Sequence, residues 1–296
     1  MLESRWTADT FVCVGLDSEF GKIPEAAHRS GNECEVSIAN TIVEFNRAIV
    51  EATHDLVCAY KPNIAFYAAH GDEGLSALHR TIADIHRIAR DVPVILDAKR
   101  ADIGNTNAGY VEEAFGYLRA DAITVHPWLG AEALQPFLDL KDKGIFVLCR
   151  TSNPGAGEFQ DIRIEMGPIL VNNEPRYRPL YQVAARSVAS KWNKNGNCGL
   201  VVGATYPDEL REVRDIVGDM PILIPGIGAQ GGDVEKTVAA GADSRKQGIV
   251  INSSRGIIFA SKGADFADVA RRETSKLRDL INQYRNATTE VIHGSN

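Results

Sequence analysis

The chain has 296 residues, of which 44% are hydrophobic, 24% charged and 7% aromatic, a profile that excludes disordered, collagen-like and coiled-coil proteins. Its 32 basic residues against 39 acidic ones give a net charge of −7. That balance argues against nucleic acid or an anionic membrane as a partner, because such surfaces need clustered Lys and Arg. Any anionic ligand must be held by a local site that opposes the overall charge.

In chain order, short apolar runs alternate with longer amphipathic ones. Strands are expected at Phe11–Leu16, Leu56–Tyr60, Val92–Leu96, Ala122–Val125, Gly144–Cys149, Cys198–Val202, Pro221–Ile224 and Gly248–Ile251. They are rich in Val, Ile and Leu without clean polar alternation, as expected of strands covered on both faces. Helices are expected at Asn40–Thr53, Gly74–Arg90, Asn105–Leu118, Ala131–Leu138, Leu180–Lys191, Pro207–Val217, Asp233–Ala239 and Asp265–Tyr284. A period of about 3.6 is visible in Leu75, Leu78, Ile82, Ile85 and Ile88, and again in Val269, Leu277, Leu280 and Ile281. Eight strands each followed by a helix is the arithmetic of a single (β/α)8 TIM barrel, with a doubly wound open sheet as the competing arrangement. The barrel is expected over residues 1–285, with 286–296 as a frayed tail. Two connections exceed the barrel minimum, Ser18–Glu35 after the first strand and Ser152–Tyr177 after the fifth. Long ordered loops at strand C-termini act as lids or walls of sites.

Five cysteines (Cys13, Cys34, Cys58, Cys149, Cys198) form an odd set without C-x-x-C spacing, so neither a disulfide framework nor a zinc site is expected. Met1–Trp6 carries no signal-peptide pattern, and no run approaches 18 consecutive apolar residues. A cytoplasmic protein is the expectation.

Active sites of barrels lie at strand C-termini. There the sequence places Gly15-Leu-Asp17, Lys61-Pro-Asn63, Asp97-Ala-Lys99-Arg-Ala-Asp102-Ile103-Gly-Asn-Thr106, His126-Pro-Trp128 and Arg150-Thr-Ser152-Asn153. The third-strand motif is the most informative. Residues i and i+2 of a strand share a face, so Asp97 and Lys99 point to one side, with Asp102 three residues on and Lys61 arriving from the neighbouring strand. Carboxylates beside a lysine favour its charged form, which suits a proton donor rather than a Schiff-base nucleophile. An ion-pair network that merely closes the barrel is the alternative, but burying four alternating charges is costly without a functional return.

The seventh strand leads into Pro225-Gly-Ile-Gly-Ala-Gln230-Gly-Gly and the eighth into Asn252-Ser-Ser-Arg255-Gly. Glycines let the backbone approach a ligand closely, and this pair of loops is the usual phosphate site of such barrels. His126 reads as a wall residue, and the remaining histidines show no metal-ligand spacing.

These motifs, spanning residues 15 to 256 in order, resemble orotidine 5′-phosphate decarboxylase, and the chain length and extended fifth loop resemble the longer-chain branch of that family. The resemblance implies cofactor-free and metal-free conversion of orotidine 5′-monophosphate (OMP) to UMP and CO2, the last step of de novo pyrimidine synthesis. It implies Lys99 as proton donor to C6 of the pyrimidine, Asp97 facing the substrate carboxylate, and Lys61 holding Asp97 and the ribose. It places Asp102, Ile103 and Thr106 in the site of a partner subunit, making a homodimer the catalytic unit. Asp17 would bind a ribose hydroxyl, Ser152 the pyrimidine edge, and Gln230 and Arg255 the phosphate. Gly241–Gly248 departs from the resemblance in being charged rather than glycine-rich. Two alternatives stand: a metal-dependent sugar-phosphate decarboxylase or aldolase, which needs a further acid where Lys61-Pro-Asn63 stands, and an inactive nucleotide-binding barrel.

Overall fold

A computed structural model describes residues 1–30, 36–171, 174–228 and 232–287, and of 168–171 and 174–176 the backbone alone. Eight parallel strands form one sheet: β1 (Val12–Leu16), β2 (Val57–Pro62), β3 (Ile95–Arg100), β4 (Ala122–Val125), β5 (Gly144–Leu148), β8 (Cys198–Val201), β9 (Ile222–Pro225) and β10 (Ile249–Ser253), in the order β2-β1-β10-β9-β8-β5-β4-β3. Parallel bridges Tyr60↔Val94 and Asn63↔Asp97 join β2 to β3 and bring the two ends of the sheet together. The expected barrel is therefore the observed one, and β8, β9 and β10 are the sixth, seventh and eighth strands of the sequence reading. β1 is buried along its whole length and Ile95, Leu96, Ile123, Val147, Leu200, Ile222 and Val250 are all inaccessible, which is why the strands lack polar alternation.

The helical layer packs outside this core. In α2 (Ile38–Thr53), Ile42, Phe45, Ile49 and Val50 are buried, and Ser37 caps the N-terminus by accepting a hydrogen bond from Asn40 N at 3.2 Å. In α4 (Gly71–Ile88) the buried stripe is Ala77, Leu78, Ile82 and Ile85; Leu75 falls off it and is exposed. A short helix, α3 (Ile64–Ala68), precedes it. The helix expected at Asn105–Leu118 is α5 (Gly104–Val111) continued by a π turn at Glu112–Tyr117. α6 (Gly130–Leu138), α9 (Pro207–Val217) and α10 (Val234–Gly241) lie close to their expected bounds. The last helix, Phe266–Ala287, runs into the segment expected as a tail, and 288–296 lie outside the described residues.

Besides α3, the structure holds elements at the N-terminus and in the fifth connection that the sequence reading does not include. The helix α1 (Leu2–Thr7) sits at the N-terminal end of the strands, where Trp6 is buried and Arg5 donates to Val57 O at 2.9 Å and His54 O at 3.0 Å. Within the fifth connection, Pro154–Ala156 and α7 (Gly157–Gln160) are followed by an antiparallel hairpin, β6 (Arg163–Val171) and β7 (Glu174–Pro179), before α8 (Leu180–Ser187). Both strands of a two-stranded hairpin are edges, so Pro168 and Pro175 are tolerated where a central strand would exclude them.

The charged run Gly241–Gly248 lies before β10, at the end of the barrel opposite the strand C-termini. Buried Asp243 organises it as a turn, accepting from Arg245 N at 2.9 Å and Gln247 N at 2.8 Å, while Arg245 also pairs with Glu3 of α1. The charged run is thus a local packing solution at the far end of the barrel from the loops that follow β9 and β10.

Candidate active site

At the C-terminal ends of the strands is a cleft of about 450 Å³, lined by residues from β1, β2, β3, β4, β5, β8, β9 and β10 or the loops that follow them. Asp17, Lys61, Asp97, Lys99, Ser152 and Arg255, six of the ten residues singled out from sequence, line it together.

Its charged centre is one carboxylate between two ammonium groups. Asp97 Oδ2 lies 2.9 Å from Lys61 Nζ, and Asp97 Oδ1 lies 2.6 Å from Lys99 Nζ. Lys61 is also 3.9 Å from Asp17 Oδ1. Burial pushes the Asp97 carboxyl up, but Lys61 and Lys99 outweigh it and hold the group well below the usual carboxylate range. For Lys61, burial alone would favour the neutral amine; Asp97 and Asp17 outweigh it and raise the ammonium above its ordinary value. Lys61 and Asp97 are therefore fixed charges, whereas the Lys99 side chain is half exposed to the cleft.

Local structure positions each group. Tyr67 Oη donates to Leu16 O at 3.1 Å and accepts from Asn46 Nδ2 at 3.0 Å, and Ser18 Oγ donates to Asn46 Oδ1 at 2.6 Å. This buried network holds the residues on both sides of Asp17, whose Oδ1 accepts no hydrogen bond among the described residues. Asn63, the last residue of Lys61-Pro-Asn63, caps α3 by accepting from Ala65 N at 3.1 Å. Lys99 has a backbone φ of +47°, so Asp97 and Lys99 converge through a distorted strand end rather than through regular alternation.

The side of the cleft that carries Arg255 is built by close backbone approach. A Cβ on Gly15 would lie 1.9 Å from Ser254 Oγ and 3.1 Å from Asn252 Oδ1, so only glycine lets β1 pack against the loop carrying Arg255. Gly226, at φ +105°, turns the chain as it leaves β9. Gln230 lies outside the described residues.

Asp102, Ile103 and Thr106 do not line the cleft of their own chain. Asn107 pins their loop: its Nδ2 donates to Asp102 O and Ala133 O, both at 2.6 Å, and its Oδ1 accepts from Asp102 N at 2.9 Å. The Asp102 carboxylate accepts from Ile103 N at 2.6 Å, and Ile103 is 60% exposed. Sequence reasoning missed Thr124, Asn107 and Asn252. Asn252 stood inside a quoted motif, and its buried Oδ1 is without a hydrogen-bond donor among the described residues, facing the cleft. Thr124 and Asn107 carried no motif signal.

Comparison with known proteins places this geometry in a family. Residues 10–268 match the model of the orotidine 5′-phosphate decarboxylase / HUMPS family. The chain is 48% identical over 286 residues to orotidine 5′-phosphate decarboxylase of Ralstonia nicotianae, covering 96% of this chain and 98% of the relative. It is 48% identical over 285 residues to the enzyme of the same name from Azoarcus sp., again over 96% and 98%. Among solved structures, Leishmania donovani OMP decarboxylase superposes with a TM-score of 0.79 at 35% identity, over 96% of this chain and 97% of that one. UMP synthase of the same organism superposes with a TM-score of 0.80 at 37% identity, this chain spanning 56% of its length. The chain belongs to the orotidine 5′-phosphate decarboxylase family.

Proposed function

We propose that this protein decarboxylates OMP to UMP and CO2. The observation that carries the reading is the Lys61–Asp97–Lys99 array at the mouth of the barrel, with Arg255 in the same cleft. A monoanionic pyrimidine carboxylate with a phosphate at its far end meets a cleft with positive charge at both ends inside a chain of net charge −7.

In the step itself, the bond between C6 and the carboxylate carbon breaks, CO2 departs, and the electron pair stays on C6. Lys99, its Nζ 2.6 Å from Asp97 Oδ1, stabilises that developing charge and gives C6 its proton; solvent then reprotonates the amine. Asp97 faces the substrate carboxylate in this reading, and its charge opposes the bound carboxylate more than the departing CO2. Lys61 keeps Asp97 ionised and in place. Asp17, with its unsatisfied carboxylate oxygen, takes a ribose hydroxyl, Ser152 the pyrimidine edge, and Arg255 with Gln230 the phosphate. Binding energy from the remote phosphate supports positioning of the reacting end.

The catalytic unit in this reading is a homodimer. Asp102 and Ile103, on a segment pinned by Asn107, and Thr106 at the start of α5 do not line their own cleft, which suits a contribution to a partner's site. A cytoplasmic location suits Cys13, Cys58, Cys149 and Cys198, all free and buried. No helix is long and apolar enough to cross a membrane among the described residues.

The sugar-phosphate alternative lacks support at the second strand, where Lys61 and Asn63 stand in place of an added metal-binding acid. Purified protein supplied separately with OMP and with a β-keto-acid sugar phosphate tests the choice. Loss of orotate absorbance with OMP alone is expected; turnover of the sugar phosphate alone would reverse the assignment.

A further inference from the structure

β3 and β4 are in regular parallel register at Leu96↔Ile123 and again at Arg100↔Val125. Between those pairs, three residues of β3, Asp97, Ala98 and Lys99, stand against one residue of β4, Thr124. The extra length is a bulge, and Lys99 takes it up in the left-handed region at φ +47°, which a non-glycine residue occupies only when its surroundings enforce it.

The enforcing group is the hydroxyl of Thr124. Thr124 is 1% exposed, and its hydroxyl makes three contacts inside the bulge. Oγ1 donates to Asp97 Oδ1 at 2.9 Å and accepts from Ala98 N at 3.1 Å and from Lys99 N at 3.0 Å. A hydroxyl has one proton and two lone pairs, so this set saturates it. One oxygen thereby ties the Asp97 carboxylate to the backbone that carries Lys99. The β-branched side chain fixes χ1 on the strand, and the oxygen cannot swing elsewhere without leaving two backbone amides unpaired.

We infer that Thr124 is a positioning residue for the decarboxylation, setting the separation of Asp97 and Lys99 by latching the β3 bulge, and this rests on the reading of the cleft given above. Thr124 acts through those two residues and has no proton to give or take from the substrate in the step.

The experiment compares Thr124→Val, which keeps the shape and removes the oxygen, with Thr124→Ser, which keeps the oxygen and removes a methyl group. Both are assayed for kcat and KM with OMP and titrated with UMP. Thr124→Val is expected to lose about 30-fold in kcat, since misplacing a reacting group by under an ångström has effects of this order, with KM and UMP affinity held within about three-fold. Thr124→Ser is expected to retain kcat within about five-fold, because the three hydrogen bonds survive. A residue that only fills space would give the reverse order, valine active and serine impaired. Valine at full kcat, serine as impaired as valine, or kcat and UMP affinity falling together would each overturn the inference. If Thr124→Val does not fold, Thr124→Ala is read against the same thresholds, and failure of both to fold would make Thr124 a stability element and overturn the proposal. An inactive wild-type chain would instead contradict the functional reading, so the two failures are distinguishable.

Discussion

Lys99 Nζ lies 2.6 Å from Asp97 Oδ1 although only Ala98 separates the two residues in sequence, and the approach depends on Lys99 adopting a φ of +47°. An ammonium group and a buried carboxylate are thus built two residues apart on one strand end. Lys99 reaches into the cleft while the carboxylate stays buried, its other oxygen occupied by Lys61. In the proposed reaction, a lysine held in this way is what electrostatic stabilisation of a developing carbanion requires.

Asp97 gives the array a pH signature. Its pKa in the folded chain lies below the ordinary value of 3.8, so its stabilising contribution is complete above that value and is lost as the pH falls toward the folded one. Asp97→Asn leaves buried Lys61 with only the longer contact to Asp17 and is expected to lower stability by about 3 kcal/mol at neutral pH. Denaturant unfolding of both proteins between pH 3 and pH 8 should show a difference that is flat above about pH 4 and narrows below it. A difference that grows on acidification would contradict the assigned charge states.

Gly15 couples the first strand to the loop that carries Arg255. In Gly15→Ala the new Cβ meets Ser254 Oγ at 1.9 Å, and that contact must displace Ser254 next to Arg255. Weakening the Arg255 contact to an anion should cost about ten-fold in UMP affinity, the scale of one charge-assisted hydrogen bond. Binding of uridine, which lacks the phosphate, should be unchanged within two-fold in the same titration; equal losses for both ligands would place the damage elsewhere.

The dimer reading is tested by mixing. Lys99→Ala removes the proton donor and Asp102→Ala the residue assigned to the partner's site, and each protein alone should lose at least about 10²-fold in kcat. After unfolding and refolding together in equal amounts, half of the dimers pair unlike chains, and one of the two sites in each carries both native residues. Activity should return to roughly a quarter of the wild-type value. No recovery despite demonstrated exchange of chains would place Asp102 outside the partner's site.

Much of this was legible in the sequence because the barrel writes itself in buried, valine- and isoleucine-rich strands, and because charged residues at strand C-termini stand out against them. Asp97 and Lys99 meet as expected, yet by a different route: regular alternation gives them a common face, whereas the molecule uses a bulge held by Thr124. No glycine marks that bulge, so the positive φ of Lys99 leaves no trace in the sequence. The β6–β7 hairpin was hidden by its prolines, and α1 by the fact that Arg5 acts through hydrogen bonds to residues about 50 positions away or more. Gly241–Gly248 looked anomalous because a buried acid that organises a turn, here Asp243, cannot be told from a surface charge without its partners.

The most direct test of the central claim is turnover of OMP by EDTA-treated protein in D2O, with the product examined by proton NMR. Stoichiometric CO2 is expected, with UMP carrying deuterium at C6 delivered from an exchanged Lys99 side chain. Absence of turnover in protein that still binds UMP, or UMP formed with protium at C6, would contradict the central claim.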